Sequence, residues 1–359
     1  MKIEKIELKN YRNIESMEII PCDGINIIYG ENAQGKTNIL ESIFLFTGLK
    51  SFRSTRDREL VGFGKDFSVI KAQFFASSRK QTAEIKITDR RRAVLNGVSL
   101  QSSAGLMGKF PASLFVPGFM SLIQNGPSER RRFIDSAICQ SNPKYAVILS
   151  EYTRLLRQRN AVLKNTEDYR EKKVFLECMD DAFSSAGDAV YKERKKYLDL
   201  LLPYVSEIYN GLSSGKEEIS FSYIKKGDAS GENPLKIILE KHEIADISSG
   251  MTLTGPHRDD IDININGVSA RSFGSQGQKR SAAIALKLGE AQVIKEHTSE
   301  QPVILLDDVM SELDSSRQDY ILNHIKDKQV FITCCDPSSV GILNEGRTFN
   351  IVNGKISER

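Results

Sequence analysis

A glycine-rich segment near the N-terminus has the spacing G-x-x-x-x-G-K-[ST] of a phosphate-binding loop, and it reads Gly30-Glu31-Asn32-Ala33-Gln34-Gly35-Lys36-Thr37. The two glycines allow a tight turn in which successive backbone N–H groups face one anion. Lys36 is expected to reach the β- and γ-phosphates of a nucleoside triphosphate, and the Thr37 hydroxyl is expected to bind Mg²⁺. The segment therefore predicts a nucleoside triphosphate and Mg²⁺ as cofactors.

The residues on either side of this loop have the pattern that it needs. Residues 25–29 form a short apolar run typical of a buried strand, and residues 37–46 are apolar at helical spacing. The helix adds the partial positive charge of its N-terminus to the anion site. The alternative, a glycine-rich turn that carries a lysine by coincidence, is disfavoured because strand, loop and helix are all in place.

Two carboxylates follow a fully apolar run at residues 303–306. Such a run is typical of a central parallel strand, and α/β proteins bind ligands at the carboxyl ends of these strands. Asp307 is placed to hold Mg²⁺ through water, and Asp308 to orient or deprotonate an attacking water. About 270 residues separate Thr37 from Asp307, which predicts a large insertion between two halves of one ATPase core.

A second candidate anion site precedes that strand, where a turn opens a helix with the sequence Ser275-Gln276-Gly277-Gln278. A serine hydroxyl, a glycine N–H and a helix N-terminus together can bind an anion. One chain needs only one cradle for a γ-phosphate. A second cradle without a loop of its own therefore predicts a nucleotide sandwiched between two subunits in head-to-tail contact.

Changes in sequence character predict three regions. Residues 1–126 are an ATPase lobe with the phosphate-binding loop and an antiparallel sheet, which includes an Asn-Gly hairpin at residues 96–97. Residues 127–245 are helical in period and highly charged, with a short strand at residues 219–224, and predict an inserted, mainly helical domain. Residues 246–359 are the second part of the ATPase core and carry the Ser-Gln-Gly-Gln and paired-acid motifs.

Composition excludes several classes of protein. No run among the 359 residues approaches a membrane span, and the charged N-terminus lacks the apolar core of a signal peptide, so a cytoplasmic protein is expected. Five cysteines without a C-x-x-C pair argue against a disulfide framework and a zinc site. Cys334 and Cys335 are interpreted as small apolar residues that fill the end of a buried strand.

The net charge of +3 does not by itself establish a nucleic-acid partner. Three basic clusters occur, at residues 50–58, 90–92 and 130–132; each is explained by a solvated face, and together they favour nucleic acid. The sequence leaves two alternative roles for each of two single residues. Arg12, just past the first strand, either contacts the nucleotide or is exposed, and His257 either lines the site or holds its turn.

In this order, the motifs G-x-x-x-x-G-K-T, S-Q-G-Q, I-L-L-D-D and S-E-L-D resemble those of ATP-binding-cassette proteins, in the SMC-type version whose lobes are split by a helical insertion. Over nearly its whole length the chain is similar to the RecF family of bacterial recombinational repair proteins. The segments that carry this similarity are residues 2–13, 31–38, 50–53, 126–135 and 254–260. The fold class is therefore α/β: a cassette core in two lobes, with an antiparallel β subdomain and an inserted helical domain.

The resemblance implies a protein that binds ATP and hydrolyses it slowly, as a switch rather than as a metabolic enzyme. ATP brings two monomers together, and the dimer binds single- and double-stranded DNA at single-strand gaps and stalled forks, where it helps RecO and RecR to load RecA. The family pattern places residues 275–278 on the γ-phosphate of the other subunit's ATP. It adds two residues to the ATP site, and these are Arg12 and Asn38.

Two segments depart from the family pattern. Val116-Pro117-Gly118-Phe119 stands where an acidic pair is expected after the proline, and the strand ending in Thr333-Cys334-Cys335-Asp336 lacks the histidine that many cassette ATPases place near the γ-phosphate. Thr333 is the predicted substitute for that histidine. The cassette motifs alone also allow the ATPase subunit of a membrane transporter, and the phosphate-binding loop alone allows a small-molecule kinase. The long charged insertion and the paired acids count against these alternatives.

Overall fold

The computed structural model describes residues 1–54, 56–227, 234–336 and 346–357. Its strands, in chain order, are β1 (Lys2–Tyr11), β2 (Ile14–Ile19), β3 (Ile25–Tyr29), β4 (Ser68–Ala76), β5 (Arg79–Ile87), β6 (Arg91–Leu95), β7 (Val98–Ser99), β8 (Ala112–Phe115), β9 (Ile219–Ile224), β10 (Asp260–Ile265), β11 (Val268–Ser269), β12 (Val303–Asp307), β13 (Val330–Cys334), β14 (Arg347–Val352) and β15 (Lys355–Ser357). Its helices are α1 (Lys36–Phe44), α2 (Ser121–Gln124), α3 (Pro127–Ser141), α4 (Pro143–Asn165), α5 (Tyr169–Ser213), α6 (Pro234–Ser249), α7 (Ala270–Phe273), α8 (Gln276–Thr298) and α9 (Ser315–Ile325).

The chain divides into two compact units. Unit 1 comprises Met1–Phe119 and Ile284–Arg359, and unit 2 comprises Met120–Ala283. The chain thus leaves unit 1 once and returns to it once, as the predicted insertion requires. Among the helices that the structure describes, none is both long and apolar enough to cross a membrane.

A six-stranded sheet of unit 1, in the order β15-β14-β3-β13-β12-β8, carries the nucleotide motifs. All neighbours in it are parallel except β14 and β15. Strands β8, β12 and β13 are wholly buried, which explains their continuous apolar sequences. The prediction that the run before Asp307 is a central parallel strand is confirmed.

The second sheet of unit 1 is antiparallel, with the order β2-β1-β4-β5-β6-β7. Buried and exposed residues alternate along β4, as expected for a sheet with one face on the core. The turn between β6 and β7 has positive φ at both Asn96 (50°) and Gly97 (80°), which is the backbone of a two-residue hairpin. The predicted antiparallel subdomain is therefore present.

Unit 2 is mainly helical and is built around the 45-residue helix α5, which packs against α4 and α6. A small sheet, β11-β10-β9, accompanies the helices. Strands β9 and β10 pair along their whole length, from Ile219 opposite Ile265 to Ile224 opposite Asp260. Helix α3 packs on β10, whose isoleucines are buried.

Unit 2 extends beyond residues 127–245 at both ends. On the C-terminal side it includes β10, which pairs with β9. On the N-terminal side it begins at Met120. There Arg130 donates hydrogen bonds to the carbonyl oxygens of Leu122 (3.1 Å) and Asn125 (2.8 Å), which ties α2 to α3.

Candidate nucleotide-binding site

The phosphate-binding loop has a backbone that requires its two glycines. Gly30 has φ +149° and Gly35 has φ +111°, both in the region that L side chains rarely adopt. A Cβ at Gly30 would lie 2.4 Å from the carbonyl oxygen of Ile351, and one at Gly35 would lie 2.9 Å from Oδ1 of Asn13. The predicted order of strand, loop and helix is confirmed by β3 and α1.

The hairpin between β14 and β15 supports this loop from the C-terminal part of the chain. The backbone N–H of Gly354 donates to the carbonyl oxygen of Gln34 at 3.1 Å, and that of Asn353 donates to Gln34 Oε1 at 2.5 Å. A Cβ at Gly354 would lie 2.5 Å from the Asn13 carbonyl oxygen. The sequence contains the Asn-Gly signal for this hairpin, but nothing in it indicates that the hairpin reaches the loop.

A chain of side-chain hydrogen bonds holds the start of α1. Arg53 Nη1 donates to Asn38 Oδ1 at 2.7 Å, and Asn38 Nδ2 donates to Asn13 Oδ1, also at 2.7 Å. Asn13 Nδ2 then reaches the carbonyl oxygen of Ala33 at 3.4 Å. Asn38, predicted to contact ATP, is here a bridge between the loop and the basic segment that follows α1.

The residues predicted to hold Mg²⁺ are brought together. Thr37 Oγ1 donates to Asp307 Oδ1 at 2.8 Å, and Thr333 Oγ1 donates to the same oxygen at 2.8 Å. Burial raises the pKa of Asp307, and the two hydroxyl donors work against that rise. A hydroxyl beside a carboxylate suits a hard cation that keeps water and phosphate oxygens as its other ligands. No group of three or more His, Cys, Asp or Glu residues in the described ranges could hold a metal alone.

Asp308 has a strained backbone. Its φ is +51°, a left-handed conformation that is uncommon for any residue other than glycine. Its N–H donates to Thr333 Oγ1 at 2.9 Å, and the Ser311 hydroxyl donates to its carbonyl oxygen at 2.8 Å. Strain of this kind is held in place by surrounding structure and is concentrated at functional sites.

Thr333 is hydrogen-bonded to both acids. Its side chain is buried, with 1% of the residue exposed, and it bonds both to the Asp307 carboxylate and to the Asp308 N–H. That Thr333 substitutes for the missing histidine stays a prediction. The other departing segment, residues 116–119, contains no carboxylate. Its Phe119 is buried and packs edge-on against Phe115.

Lys36 lies across its own loop. Its ammonium donates to the carbonyl oxygens of Gly30 and Glu31 (2.9 Å for Glu31) and is 3.7 Å from the Cys335 Sγ. Cys335 is exposed, and its thiol donates to Asn32 Oδ1 at 3.2 Å. Cys334 is buried as predicted, and burial raises its pKa to about 11. The interpretation of Cys335 as an apolar filler is corrected, because its side chain borders the loop.

Alkylation of Cys335 with iodoacetamide is therefore expected to weaken ATP binding. The added amide would crowd the Lys36 ammonium, and loss of one charge-assisted hydrogen bond of about 1.5–3 kcal/mol lowers affinity about ten- to hundredfold. Saturating ATP should in turn slow the alkylation, measured by mass spectrometry in a Cys178→Ser background that removes the other exposed thiol. Equal rates with and without ATP would contradict this.

Arg12 is neither free nor simply exposed, because its guanidinium pairs with a buried carboxylate. Nε and Nη2 donate to the two oxygens of Glu41 at 2.5 and 2.7 Å, and Nη2 also donates to Ser54 Oγ. Glu41, which is fully buried, also accepts from the hydroxyls of Tyr11 and Ser51. Burial works to raise the pKa of Glu41, but hydrogen bonds from Arg12 and Ser51 outweigh it, and the pKa is lowered.

Sequence reasoning missed Glu41, which joins β1, α1 and the basic segment after α1. A glutamate in the middle of an otherwise apolar helix, beside Ile39, Leu40 and Ile43, was the available signal. A nucleotide contact by Arg12 remains a prediction.

The Ser-Gln-Gly-Gln motif opens α8 in unit 2 with a capping box. The Gln278 N–H donates to Ser275 Oγ at 3.2 Å, and the Ser275 N–H donates to Gln278 Oε1 at 2.7 Å. The Ser275 hydroxyl accepts in this arrangement, so its proton can be donated to a phosphate oxygen. Gln278 Nε2 is fixed by Glu217, and Gln276 Oε1 by Gln124. The predicted turn and helix start are confirmed.

His257 holds its turn. Its Nε2 lies 3.0 Å from the Thr252 carbonyl oxygen, so it carries the proton, and its Nδ1 accepts from the Tyr152 hydroxyl at 2.6 Å. Burial lowers the His257 pKa to about 4, and nearby arginine charges act in the same direction. Of the two roles left open by the sequence, the structure shows the structural one.

Acidification is expected to destabilise the protein through His257. The unfolded histidine has a pKa of about 6.5, so the unfolded chain binds a proton between pH 6.5 and about 4 that the folded chain does not bind. The free energy of unfolding therefore decreases as the pH falls through this window. At pH 5 it is about 2 kcal/mol lower than at pH 7 because of His257. Urea unfolding at pH 7 and pH 5 should show a smaller pH dependence for His257→Gln than for wild type, and equal dependence would contradict it.

The basic cluster at residues 130–132 is largely internal. Arg130, with 4% of its surface exposed, makes a two-bond ion pair with Asp260, and Arg131 donates to the carbonyl oxygen of Asp259 at 2.7 Å. Only Arg132 of the three is largely exposed. The interpretation of this cluster as a solvated face is corrected, because two of its three cations hold β10 against α3.

Comparison with known proteins gives a consistent result. The family model described as "RecF/RecN/SMC N terminal domain" matches residues 2–353. The "DNA replication and repair protein RecF" of Clostridium perfringens (strain SM101 / Type A) is 37% identical over 363 residues, 99% of each chain. The protein of the same name from Clostridium acetobutylicum is 38% identical over 364 residues and is matched over 100% of both chains.

Solved structures agree with the sequences. A structure described as the recombination mediator protein RecF with ATP in the RecFOR pathway superposes with a TM-score of 0.90 at 34% identity, covering 100% of this chain and 97% of that one. An Smc head bound to the C-terminal winged-helix domain of ScpA superposes with a TM-score of 0.56 at 17% identity, covering 99% and 96%. The second likeness shows the fold alone. The predicted cassette-type α/β fold class is confirmed.

Proposed function

The chain belongs to the RecF family, within the group of RecF, RecN and SMC N-terminal domains, and we propose from this premise that it is an ATP-dependent DNA-binding protein of recombinational repair and replication-fork maintenance. One observation carries the proposal. The Thr37 hydroxyl meets the Asp307 carboxylate at 2.8 Å, although the two residues are 270 positions apart. That contact joins the phosphate-binding loop to the acids in one site.

The residues of this site fit ATP and Mg²⁺. Backbone N–H groups of the loop and the N-terminus of α1 bind the phosphates, and Lys36 turns from the loop carbonyls to the β- and γ-phosphates. Thr37 and Asp307 would hold Mg²⁺, which supplies charge neutralisation for the phosphates. Asp308 orients the attacking water and accepts its proton, and Thr333 keeps both acids in position. We propose that hydrolysis at this site is slow and acts as a timer.

Closure by ATP is the second part of the proposal. Residues 275–278 of one subunit bind the γ-phosphate held by the loop of the other, so two ATP molecules lie between two head-to-tail copies. The capping box supports this, since it fixes Ser275 at the start of α8 with a proton to donate. RecO and RecR are the proposed partners, and the closed dimer on DNA at single-strand gaps would assist loading of RecA.

The transporter ATPase that the motifs alone allowed is not proposed. Relatives matched over the whole chain are DNA replication and repair proteins by name.

Sedimentation velocity without nucleotide, with ADP and with ATP tests the proposal. We expect a monomer in the first two conditions and a dimer with ATP, together with DNA affinity that needs ATP and falls steeply with salt. Ser275→Arg is the matched variant, because it leaves the phosphate-binding loop intact and should bind ATP as a monomer. A monomer in all three conditions, or a dimer in all three, would overturn closure by ATP.

A further inference from the structure

Unit 1 contains a cationic cavity separate from the phosphate-binding loop. Its volume is about 410 Å³. The charged residues that line it are four cations, Lys50, Arg56, Arg58 and Arg91, and two carboxylates, Asp57 and Asp89. The excess of positive charge selects an anionic ligand.

The charges of the cavity are not all equivalent. Arg91, whose side chain is 6% exposed, lies with Nε 2.9 Å from Asp57 Oδ1 and donates from Nη1 to the Leu49 carbonyl oxygen at 2.6 Å. This pair neutralises one of the two carboxylates. Lys50, Arg56 and Arg58 are exposed, and within the described residues none of them has an ion-pair partner. Three exposed cations therefore face a single remaining carboxylate, Asp89.

Arg58 links this cavity to an aromatic side chain. Its Nη1 and Nη2 donate to the carbonyl oxygens of Asp66 (2.9 Å) and Lys65 (3.0 Å). Lys65 lies two residues after Phe63, which is within about 7 Å of extended chain. The segment that carries Phe63 is therefore tied to a residue that lines the cavity.

The turn that carries Phe63 is anchored by backbone hydrogen bonds. Lys65 N–H donates to the Gly62 carbonyl oxygen at 3.0 Å, and Gly62 N–H donates to the Asn10 carbonyl oxygen at 2.7 Å. Gly64 has φ +72°, the left-handed third position of a β-turn. Phe63 at the second position is fully exposed, at 104% of its reference surface. A phenyl ring held out by an anchored turn contributes nothing to the core.

We propose that Phe63 and the cavity beside it form a binding site for single-stranded nucleic acid, in which an unpaired base stacks on Phe63 and the adjoining backbone phosphate lies against Lys50, Arg56 and Arg58. Cations that follow a backbone together with an aromatic platform are the chemistry of single-strand binding. In a duplex the bases are stacked on one another, so no base face is available to stack on the Phe63 ring. This inference rests on the proposed function and adds to it the residues that contact the unpaired strand.

Binding of a fluorescent oligothymidylate and of a duplex of equal length, both with ATP and Mg²⁺, tests the site. Phe63→Ala should weaken single-strand binding about five- to hundredfold, the range found when a stacking aromatic is removed, and leave duplex binding unchanged. Phe63→Trp should restore it. Phe175→Ala, which removes an exposed aromatic of unit 2, is the matched control. Lys50→Ala and Arg56→Ala should weaken both forms and flatten the salt dependence.

A single 2-aminopurine in the oligonucleotide gives a direct readout, since its fluorescence should be quenched by wild type and Phe63→Trp but not by Phe63→Ala. Unchanged single-strand affinity in Phe63→Ala, or equal losses for both DNA forms, would overturn the site while leaving the proposed function intact. Loss of the ATP-induced dimer in Phe63→Ala would assign the ring to a protein contact and also overturn it. Absence of any DNA binding by wild type would instead overturn the proposed function.

Discussion

Replacing Lys36 by alanine is expected to abolish ATP binding at millimolar concentrations and, with it, all ATP-dependent DNA binding. The ammonium bonds to carbonyl oxygens of its own loop, and in the proposed ATP complex it would exchange them for oxygens of the β- and γ-phosphates. Two charge-assisted hydrogen bonds of about 1.5–3 kcal/mol each correspond to a loss of at least about a hundredfold in affinity. Titration calorimetry with ATP, and DNA anisotropy with and without ATP, measure the two effects.

Lys328→Ala is the matched control for that substitution. Lys328 and Lys36 have the same residual exposure, 7% each, but the ammonium of Lys328 bonds to the His324 carbonyl oxygen at the end of α9. The control should lower stability and leave ATP affinity unchanged. If Lys36→Ala kept its ATP-dependent DNA affinity, the phosphate-binding loop would not be the source of the switch.

Asp308→Asn is expected to lower the rate of ATP hydrolysis by about 10²- to 10⁴-fold, the contribution of a positioned general base. ATP affinity should stay within a few-fold of wild type, because Asn keeps the size of Asp and the backbone bond to Thr333. The ATP-bound dimer should therefore persist longer. Steady-state phosphate release and the decay of the dimer after dilution are the measurements, and Asp319→Asn, an exposed aspartate on α9, is the control.

A second variant at this position tests the strain. Asp308→Gly removes the penalty of the left-handed backbone and should raise the free energy of unfolding by about 1 kcal/mol while it abolishes hydrolysis. A gain in stability would show that the left-handed backbone at Asp308 is strained, and unchanged stability would contradict it. If Asp308→Asn hydrolysed ATP at the wild-type rate, Asp308 would not be the group that handles the attacking water.

The sequence was sufficient to predict those parts of the site that consist of residues close together in the chain. The loop before α1 and the acids after β12 have local patterns, a glycine spacing in one case and an apolar run in the other. The support of the loop by Gln34 and Gly354 could not be predicted, because it depends on which strands neighbour β3. The pairing of β9 with β10 could not be predicted for the same reason, since it joins segments on either side of α6.

Buried charged residues were also not predicted from the sequence. Charged residues such as Glu41 and Arg130 are common at the protein surface, and their partners show why these two are buried. A partner such as Asp260 lies 130 residues away from Arg130, beyond the reach of any periodicity.

The position of β3 between β13 and β14 has a consequence for biosynthesis. The loop follows residue 29, but both strands that flank β3, and the hairpin that braces Gln34, come from residues 330–357. A ribosome therefore makes the phosphate-binding loop early and its supports some 300 residues later. A nascent chain that stops before β14 has every motif residue of the loop yet no assembled site, so it should not bind ATP and should not dimerise on the ribosome. If ATP closes the dimer as proposed, assembly of two copies would wait until this last part of the sheet has emerged.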